Sequence, residues 1–392
     1  EPSDANHWLA GHALHKRGIL DFIGAARPSI ADPFLPKKIE DGELERIREC
    51  IGCNICVSGD MTISPIRCTQ NPAMGEEWRR GWHPERAPMA THPRSVLVIG
   101  GGPAGLEAAR VCSLRGHQVT LAESQRELGG RLLLESKLPG LASWIRVRDY
   151  RTEELKRADN VELFLESELD VEHIFELAPA TVVLATGARW RSDGVGRAHH
   201  RPIPGFERAL TPDNVMAGQI PAGRVVIFDD DHYIMGGALA EALVRGGHQV
   251  SLVTPAHSVS AWTTNTLEHG PIQKRMRELG VQLLCATDAV EWRIDGLVTR
   301  DVYDDRRGFI EADSLISVTA RLPNECLLTA MEAARSKLQE AGVEHFEAIG
   351  DAHCPATVAA AVWSGYRFAF ELDLPEHERE MKRQVHGELY PA

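Results

Sequence analysis

Residues 95–105 read Ser-Val-Leu-Val-Ile-Gly-Gly-Gly-Pro-Ala-Gly, a short apolar run followed by a cluster of glycines. The apolar run predicts a buried strand, and the glycines predict a tight turn that opens a helix. In such a turn Gly100 reverses the chain, Gly102 lets the backbone approach a pyrophosphate, and Gly105 allows the helix to pack closely on the strand. The stretch therefore predicts the first unit of a nucleotide-binding α/β fold.

Two further features favour a nucleotide at this turn. The predicted helix spans residues 104–115, and a helix N-terminus presents N–H donors and the positive end of the helix dipole to a phosphate. The next predicted strand, residues 118–122, leads to Glu123. Its carboxylate can accept hydrogen bonds from ribose hydroxyls, which disfavours a 2′-phosphate. We expect an ADP-containing ligand, and the residues leave open whether it is FAD, NAD or ADP alone.

The remainder of the chain predicts a second unit of the same kind. One predicted strand runs into Thr186 and Gly187, and another precedes Gly350 and Asp351. In folds that bind two nucleotides, residues at such places contact a flavin, although ordinary turns would explain these residues as well. A new strand–helix–strand pattern begins at residues 224–228. We therefore predict an α/β protein with two nested Rossmann-like domains of the FAD/NAD(P)-reductase type, the second inserted into the first.

The second unit departs from the glycine pattern. Aligning its first strand with that of the first unit places Asp229, Asp231 and Ile234 where the three glycines stand. Two carboxylates would then face a pyrophosphate, and like charges at close range repel strongly. The Ile234 side chain would also crowd the contact between helix and strand. We therefore predict that this unit keeps the fold and binds no nicotinamide nucleotide.

The eight cysteines are unevenly distributed, and four of them predict a metal centre. Cys50, Cys53 and Cys56 form a C-x2-C-x2-C motif, and Cys68 follows in the same segment. Three thiolates at this spacing, with a fourth further along, suit the four-Cys ligation of a [4Fe–4S] cluster. Zinc, which usually takes two separated C-x2-C pairs, and the absence of any metal are the alternatives. The remaining four carry no ligand spacing and are expected to be small apolar core residues: Cys112, Cys285, Cys326 and Cys354.

Composition excludes several classes of function. The chain has 392 residues and a net charge of −13, which weighs against binding to nucleic acid or to an anionic membrane surface. No apolar run approaches the ~18 residues that a membrane span needs. The clustered cysteines suggest a reduced, cytoplasmic protein. Because Glu1 is neither a start methionine nor part of a signal peptide, we expect a mature chain or one that begins within a longer product.

Residues before the glycine turn are expected to form a separate region. A helix, a short apolar strand at 19–23 and a helix over about 39–49 are predicted first. Residues 50–90 show little periodicity, so that a metal centre rather than an apolar core is expected to fix them. With residues 91–94 as a linker, the nucleotide-binding part begins near Ser95.

Several motifs in this region resemble one known family. They are Ala-Arg-Pro-Ser-Ile-Ala-Asp-Pro at 26–33, Cys-Ile-Gly-Cys-Asn-Ile-Cys at 50–56, Cys-Thr-Gln-Asn at 68–71 and Gly-Glu-Glu-Trp-Arg-Arg-Gly-Trp-His-Pro-Glu at 75–85. With the glycine turn that follows, the chain resembles the trimethylamine and dimethylamine dehydrogenases and their relatives, including histamine dehydrogenase. These enzymes are iron–sulfur flavoproteins, and the resemblance extends over essentially the whole chain.

The resemblance implies a division of the chain and a set of cofactors. Residues 1–45 would be the end of a TIM barrel that carries FMN, most of which lies outside this chain. Residues 46–92 would hold the [4Fe–4S] cluster. Residues 93–215 with 340–392 would bind ADP or FAD, and residues 216–339 would be the inserted degenerate domain. No residue that touches an amine falls within the chain, so no catalytic residue is nominated.

The same resemblance assigns roles to single residues. Arg27 would contact the FMN phosphate, and the four clustered cysteines would ligate the cluster. The adenine nucleotide would be held by Gly100, Gly102, Gly105 and Glu123, with Pro103 and Ala104 at the start of the helix. Electrons from a secondary or tertiary amine would leave singly through the cluster to an electron-transfer flavoprotein. A barrel-containing remainder or partner subunit, and a homo- or hetero-oligomer, are implied as well.

Two other functions remain open at this stage. The enoate and dienoyl-CoA reductases also resemble the chain, but they use FAD and NADPH and tend towards a C-x2-C-x3-C motif. The motif here and the carboxylates Asp229 and Asp231 count against them. A non-catalytic nucleotide-binding subunit is the third possibility, against which the intact cysteine motif counts.

Overall fold

A computed structural model describes residues 13–375 of the chain, and the elements below refer to that part. The helices are α1 (Ala26–Ala31), α2 (Leu35–Glu40), α3 (Ile55–Met61), α4 (Glu77–Arg80), α5 (Pro103–Leu114), α6 (Leu132–Glu135), α7 (Arg146–Lys156), α8 (Val171–Leu177), α9 (Pro212–Met216), α10 (Met235–Arg245), α11 (His269–Glu278), α12 (Cys326–Ala333), α13 (Arg335–Glu340) and α14 (Val358–Glu371). The strands are β1 (Ser95–Ile99), β2 (Gln118–Ala122), β3 (Val161–Phe164), β4 (Thr181–Leu184), β5 (Ala188–Trp190), β6 (Val225–Asp229), β7 (Val250–Val253), β8 (Gln282–Leu284), β9 (Thr287–Trp292), β10 (Gly296–Asp301), β11 (Arg307–Glu311), β12 (Ser314–Val318), β13 (Arg321–Pro323) and β14 (His345–Ala348).

The chain divides into two compact units. In the described part, the first unit comprises residues 13–132, 144–187 and 325–375, and the second comprises 133–143 and 188–324. The predicted domain bounds, with an inserted domain at 216–339, stay predictions. Residues 1–12 of the predicted barrel remnant and 376–392 of the predicted nucleotide-binding domain lie outside the described residues.

The first unit is built on a parallel sheet in the order β14-β4-β1-β2-β3. Residues Val96–Ile99 of β1 are buried, as expected for an apolar strand covered on both faces. The register pairs Ile99 with Ala122 of β2 and with Leu184 of β4. The residues that follow these three strands therefore emerge at one edge of the sheet. The chain order reverses between β1 and β4, and open α/β sheets bind ligands at such a point.

Two helices pack closely against each other beside this sheet. Leu106 and Ala109 of α5 share an apolar core with Tyr366 and Phe370 of α14. A glycine permits the approach: a Cβ atom added to Gly365 would lie 2.2 Å from the backbone oxygen of Ala104. The first turn of α5 carries the predicted nucleotide site. Close backbone contact with α14 thus fixes its position.

The second unit contains a parallel sheet in the order β12-β6-β7-β8, an antiparallel sheet in the order β11-β10-β9 and the pair β13-β5. Its core includes Val226 and Phe228 of β6 with Phe206 and Leu315. Both units are α/β with parallel sheets, so the predicted fold class is confirmed at that level. The nesting and the barrel end stay predictions.

Two elements before the glycine turn differ from the prediction. Residues 19–23 form no strand, and Phe22 within them is 91% exposed. A strand needs a hydrogen-bonding neighbour, and none of the described residues pairs with this apolar segment. The helix predicted over about 39–49 is wrong as well, because α2 ends at Glu40 and only a 3-10 turn, Leu44–Arg46, follows. Asp41 and Gly42 interrupt the helical pattern.

None of the helices between residues 13 and 375 combines the length and apolar character that a membrane crossing requires.

We predict that Gly365→Ala destabilises the protein by about 1–3 kcal/mol, because the added methyl group meets backbone atoms that cannot move aside. Thermal unfolding of the purified protein measures the change. Gly270→Ala is the matched control, since that helical glycine has open space around its Cβ position and alanine favours a helix by up to about 1 kcal/mol. A Gly365→Ala variant as stable as this control would contradict the proposed close packing.

Candidate functional site

The cysteine segment winds around a recess in the first unit. Gly52 has a φ of 69° and Asn54 a φ of 53°, both left-handed, and α3 begins directly afterwards. These turns bring three closely spaced cysteines to one side, and the loop before α4 supplies the fourth. The space within and at the mouth of the recess, including the part open to solvent, is about 310 Å³. Its lining comprises Cys50, Cys53, Cys56 and Cys68 with Arg27, Ile30, Ile51, Asn54, Thr69 and Gln70.

Each of three thiols has an identifiable environment. The Thr69 hydroxyl lies 3.1 Å from the Cys53 Sγ atom, and the Gly52 N–H donates to Cys50 Sγ at 3.4 Å. Burial raises the pKa of Cys53 to about 12. Burial likewise raises the pKa of Cys68 to about 11, although the N–H groups of Asn71 and Gln70 oppose it. A metal cation would be needed to displace these protons at neutral pH.

The four thiols surround the recess instead of meeting at one point. In residues 13–375, no three His, Cys, Asp or Glu side chains come close enough together to hold a single metal ion. A tetrahedral zinc site requires such convergence, with Zn–S distances near 2.3 Å. Four separated thiols around one space instead suit a polynuclear cluster with four-Cys ligation. The donor set thus fits the predicted [4Fe–4S] cluster.

Arg27 lies at the same recess. It is the second residue of α1, and its Nη1 atom donates a hydrogen bond to the Asn54 side-chain oxygen. This contact links the α1 segment to the left-handed turn between Cys53 and Cys56. The contact with an FMN phosphate stays a prediction, and Asn54 is a lining residue that spacing alone did not single out.

The glycine turn has the geometry that its sequence predicts. Gly100 has a φ of 107°, and a Cβ atom there would lie 2.4 Å from the Ala185 oxygen. A Cβ atom on Gly105 would lie 1.9 Å from the Gly100 oxygen, so the helix packs directly on the turn. By contrast, a Cβ atom added to Gly102 would have no other atom within 4 Å. The open side, at the first turn of α5 with Pro103 and Ala104, is where a pyrophosphate would approach.

Glu123 is held by the chain itself. Its Oε2 atom accepts the Gly101 N–H at 2.7 Å, and its Oε1 atom accepts the Gln125 N–H at 2.8 Å. The carboxylate therefore fixes the shape of the glycine turn from the neighbouring strand. Its contact with ribose hydroxyls stays a prediction.

Sequence reasoning missed a second pair of glycines at this site. The Gly129 N–H donates to the Gly101 oxygen at 2.8 Å. Gly130 has a φ of 53°, and a Cβ atom on it would lie 3.1 Å from the Gly102 Cα atom. This pair therefore lies against the backbone of Gly101 and Gly102. The adjacent glycines shortly after Glu123 were the available signal.

The other predicted residues lie at the same sheet edge. Thr186 follows the Ala185 carbonyl that contacts Gly100, and Gly187 has a φ of 73°. Gly350 has a φ of 58°, and a Cβ atom there would lie 2.6 Å from the Ala104 Cβ atom. Asp351 accepts the Ala356 N–H at 3.0 Å. The fold brings these turns to the start of α5, and a flavin contact stays a prediction.

The second unit holds a carboxylate at its corresponding turn. The Asp229 Oδ1 atom accepts the N–H groups of Asp231 at 3.1 Å and His232 at 3.0 Å. A Cβ atom on Gly236, in the first turn of α10, would lie 2.5 Å from Asp229 Oδ2. The chain's own carboxylate thus lies beside the helix N-terminus, where a phosphate binds in a functional unit.

The predicted role of Ile234 is wrong. Helix α10 starts at Met235, further from β6 than α5 starts from β1, so Ile234 precedes the helix. Gly236 makes the close contact between helix and strand instead. Because the turn after β6 is longer than the turn after β1, the residues of the two turns do not correspond one to one.

Burial, followed by repulsion from Asp231, raises the pKa of Asp229 to about 7. Burial also raises the pKa of Asp231. The turn therefore holds protons more tightly than an exposed pair of carboxyl groups would, which reflects the cost of burying negative charge.

Two family descriptions match parts of the chain. Residues 98–148 match a NAD(P)-binding Rossmann-like domain, and residues 210–309 match the OYE-like second alpha/beta domain. The first match includes the glycine turn and Glu123, and the second includes the Asp229 turn.

Similar proteins are known over nearly the whole chain. Dimethylamine dehydrogenase from Hyphomicrobium sp. (strain x) is 36% identical, covering 94% of this chain and 54% of that protein. NADH oxidase from Thermoanaerobacter brockii is 31% identical, covering 91% of this chain and 52% of that protein. The solved structure of histamine dehydrogenase from Rhizobium sp. 4-9 has a TM-score of 0.93 and 46% identity, covering 95% of this chain and 58% of the other. The chain thus spans about half the length of these relatives.

We predict that Cys53→Ser or Cys68→Ser lowers the affinity for iron at least about tenfold, the loss seen when even an outer partner of a metal ligand is removed. Iron and acid-labile sulfide, measured on protein reconstituted under nitrogen, report the change. Cys326→Ser and Cys354→Ser are the controls, because these two thiols lie outside the recess and are exposed, so the expectation that they are core residues is wrong. Zinc in place of iron and sulfide would refute the cluster.

We predict a pH-dependent gain in stability from Asp229→Asn. A raised pKa in the folded state contributes stability that is lost as pH rises through about 7. The variant removes that loss, and one pKa unit is about 1.4 kcal/mol. Its stability relative to the unchanged protein should therefore increase by on the order of 2 kcal/mol between pH 5 and pH 8, measured by thermal unfolding.

Asp313→Asn is the control for this experiment. Hydrogen bonds from the Arg224 N–H and side chain lower the pKa of Asp313, which is already ionised at the start of this pH interval. Its replacement should leave the relative stability unchanged across the interval. The same flat response from Asp229→Asn would contradict a buried, proton-holding carboxyl group.

Proposed function

The chain belongs to the trimethylamine/dimethylamine dehydrogenase-like family of iron–sulfur flavoproteins over the half of their length that it spans, and from that premise we propose that it is the electron-transfer half of an amine dehydrogenase. Its substrate would be a secondary or tertiary amine, often N-methylated. The residues that touch the amine would lie outside this chain.

The arrangement of four thiols around one recess carries the proposal. Bound there, a [4Fe–4S] cluster would relay single electrons. Cys50, Cys53, Cys56 and Cys68 would ligate it, and Thr69 would donate a hydrogen bond to a thiolate. Such a relay requires an electron donor and an acceptor. An electron-transfer flavoprotein or a similar one-electron acceptor is the proposed partner.

The donor would be an FMN held mostly by residues outside this chain. The segment before residue 46 would be the end of the flavin-binding barrel, and Arg27 would lie between the flavin phosphate and the cluster. Its position at the recess supports this arrangement, because one guanidinium can serve both neighbours. The exposed apolar segment 19–23 would pair with the missing strands of the barrel. The remainder would be part of the same polypeptide or a partner subunit.

The adenine nucleotide would bind in the first unit alone. Open space at Gly102 and the start of α5 support a pyrophosphate there. In the second unit, the Asp229 side chain lies beside the helix N-terminus and already accepts the N–H groups of Asp231 and His232, so these donors are not open to a phosphate. We therefore propose that ADP or FAD binds at Gly100–Gly105, and that the inserted domain takes no NAD(P)H.

A reductase driven by NAD(P)H is the second candidate. It is favoured by the match of residues 98–148 to a NAD(P)-binding Rossmann-like domain and by the similarity to an NADH oxidase. The two candidates differ in the source of electrons. An amine would supply them in the first, and a nicotinamide nucleotide in the second.

We predict that dimethylamine or trimethylamine, added anaerobically to the complete enzyme that includes the flavin barrel, bleaches flavin absorbance and then produces the EPR signal of a reduced cluster. NADH and NADPH should leave both signals unchanged over the same time, because the second unit presents Asp229 to the phosphate. Stopped-flow absorbance and freeze-quench EPR measure the two steps.

Rapid bleaching by NADPH without any response to amines would refute the amine dehydrogenase and favour the reductase. A purified chain that holds no iron would contradict both and favour a nucleotide-binding subunit. An intact mass, measured together with that of any copurifying chain, identifies where the flavin barrel resides.

A further inference from the structure

Charged side chains are buried together between the cysteine segment and helices α5 and α7 of the first unit. All are at most 19% exposed. The cations are Lys38, Arg48, Arg110 and Arg151, and the carboxylates are Asp32, Glu85 and Glu107. We call this set the buried charge cluster.

The ring of Tyr150 lies at the centre of the buried charge cluster. Arg48, Arg110 and Arg151 lie over it, with guanidinium carbons 5.4, 5.8 and 5.9 Å from the ring centroid. The Lys38 Nζ atom is also 5.9 Å away. The electron-rich face of the ring partly compensates cations that are removed from water.

The cations in this set outnumber the carboxylates. Arg48 is fully buried, and among the described residues its Nε and Nη1 atoms have no hydrogen-bond partner. Buried charge is costly unless it is compensated, and Arg48 is paired with Glu85 at 2.7 Å through its Nη2 atom alone. A cluster bound by four thiolates carries net negative charge, which grows by one when it takes up an electron.

Arg151 connects the buried charge cluster to the recess. Its Nε atom lies 2.7 Å from Glu107 Oε2. Its Nη1 atom donates to the Gln70 side-chain oxygen at 2.9 Å, and its Nη2 atom donates to the Gln70 backbone oxygen at 3.1 Å. The planar guanidinium thus donates hydrogen bonds to both the side chain and the backbone of Gln70. The single ammonium group of a lysine could not reproduce this forked geometry.

Gln70 is fixed from its other end as well. Its Nε2 atom donates to the backbone oxygens of Glu49 at 3.0 Å and Arg146 at 3.3 Å. Glu49 directly precedes Cys50, and Gln70 lies two residues after Cys68. One buried amide therefore spans both ends of the cysteine motif. Gln70 and Asn71 follow Cys68 closely, and their backbone N–H groups oppose the effect of burial on the pKa of its thiol.

We propose that Arg151 is a positioning residue that raises the reduction potential of the cluster by holding Gln70 so that backbone N–H groups donate to the Cys68 sulfur. The inference rests on the proposed cluster and goes beyond its ligands. Hydrogen bonds to the sulfur stabilise the more negative, reduced cluster, as does the buried positive charge of the guanidinium. Loss of either contribution lowers the potential.

The test compares midpoint potentials of iron-loaded protein, measured by redox titration with EPR detection of the reduced cluster. Arg151→Lys keeps the charge and loses the two-pronged grip on Gln70. We expect the ratio of reduced to oxidised cluster at a fixed ambient potential to fall at least about threefold. For Arg151→Met, which loses both, we expect a fall of about tenfold, or about 59 mV for a one-electron couple.

Arg148→Met is the matched control. Arg148 lies on the same helix, but it is partly exposed and donates to the Leu128 oxygen and to Asp149. Its replacement should leave the potential unchanged. If Arg151→Met fails to fold, the milder Arg151→Lys variant still decides the question.

A loaded Arg151→Lys variant with the unchanged potential would overturn the role of Arg151 and leave the proposed function intact. An equal fall in the Arg148→Met control would also overturn it, since the effect would then be general to the helix. An unchanged protein that binds iron without the EPR signal of a reducible cluster would overturn both the role and the proposed function.

Discussion

The buried contact between Arg151 and Glu107, with 2.7 Å between Nε and Oε2, joins the cysteine segment to the nucleotide-binding sheet. Glu107 lies on α5, the helix that the glycine turn opens, while Arg151 reaches Gln70 beside Cys68. Burial alone would raise the pKa of Glu107, but Arg110 and Arg151 lower it to about 2, so the carboxylate stays ionised. Removing one partner of such a pair commonly costs about 3–5 kcal/mol, because the other charge is left buried without compensation. Helix α5 therefore carries the proposed nucleotide site at its first turn and, through Glu107, contacts the arginine that reaches the cysteine recess.

The two Rossmann-like turns differ in where their carboxyl group accepts hydrogen bonds. At the first turn, Glu123 accepts the Gly101 N–H from the side, which shapes the loop while the start of α5 stays open. At the second, Asp229 accepts N–H groups of its own turn and lies against Gly236. The Asp229 side chain thereby takes up N–H donors of this turn that a ligand's phosphate would otherwise need. The sheet can then persist without a nucleotide, since its core of apolar strands does not depend on one.

Local patterns predicted the first unit well, because the information lies within a few neighbouring residues. Strand β2 has the predicted bounds, and β1 with its glycine turn follows from residues 95–105 alone. The strand prediction for residues 19–23 is wrong because an apolar run becomes a strand only beside a partner strand. None of the described residues supplies one. The predicted role of Ile234 is wrong because the turn after β6 is longer than the turn after β1. A residue-by-residue alignment of the two turns therefore places Ile234 one step before the helix instead of within it. The grip of Arg151 on Gln70 joins residues 81 positions apart, and no local pattern encodes such a contact.

The thiols and the buried charges become intelligible together. Burial raises the pKa values of Cys53 and Cys68, so the protein alone disfavours thiolates in the recess. Burial equally disfavours the excess cations around Tyr150, of which Arg48 keeps two atoms without hydrogen bonds among the described residues. Each is a cost when considered separately. An iron–sulfur cluster would relieve both, because iron displaces the thiol protons and the negative assembly compensates the cations. The recess and the buried charge cluster would therefore complement each other: the first would hold the negative iron–sulfur cluster, and the second would supply positive charge beside it.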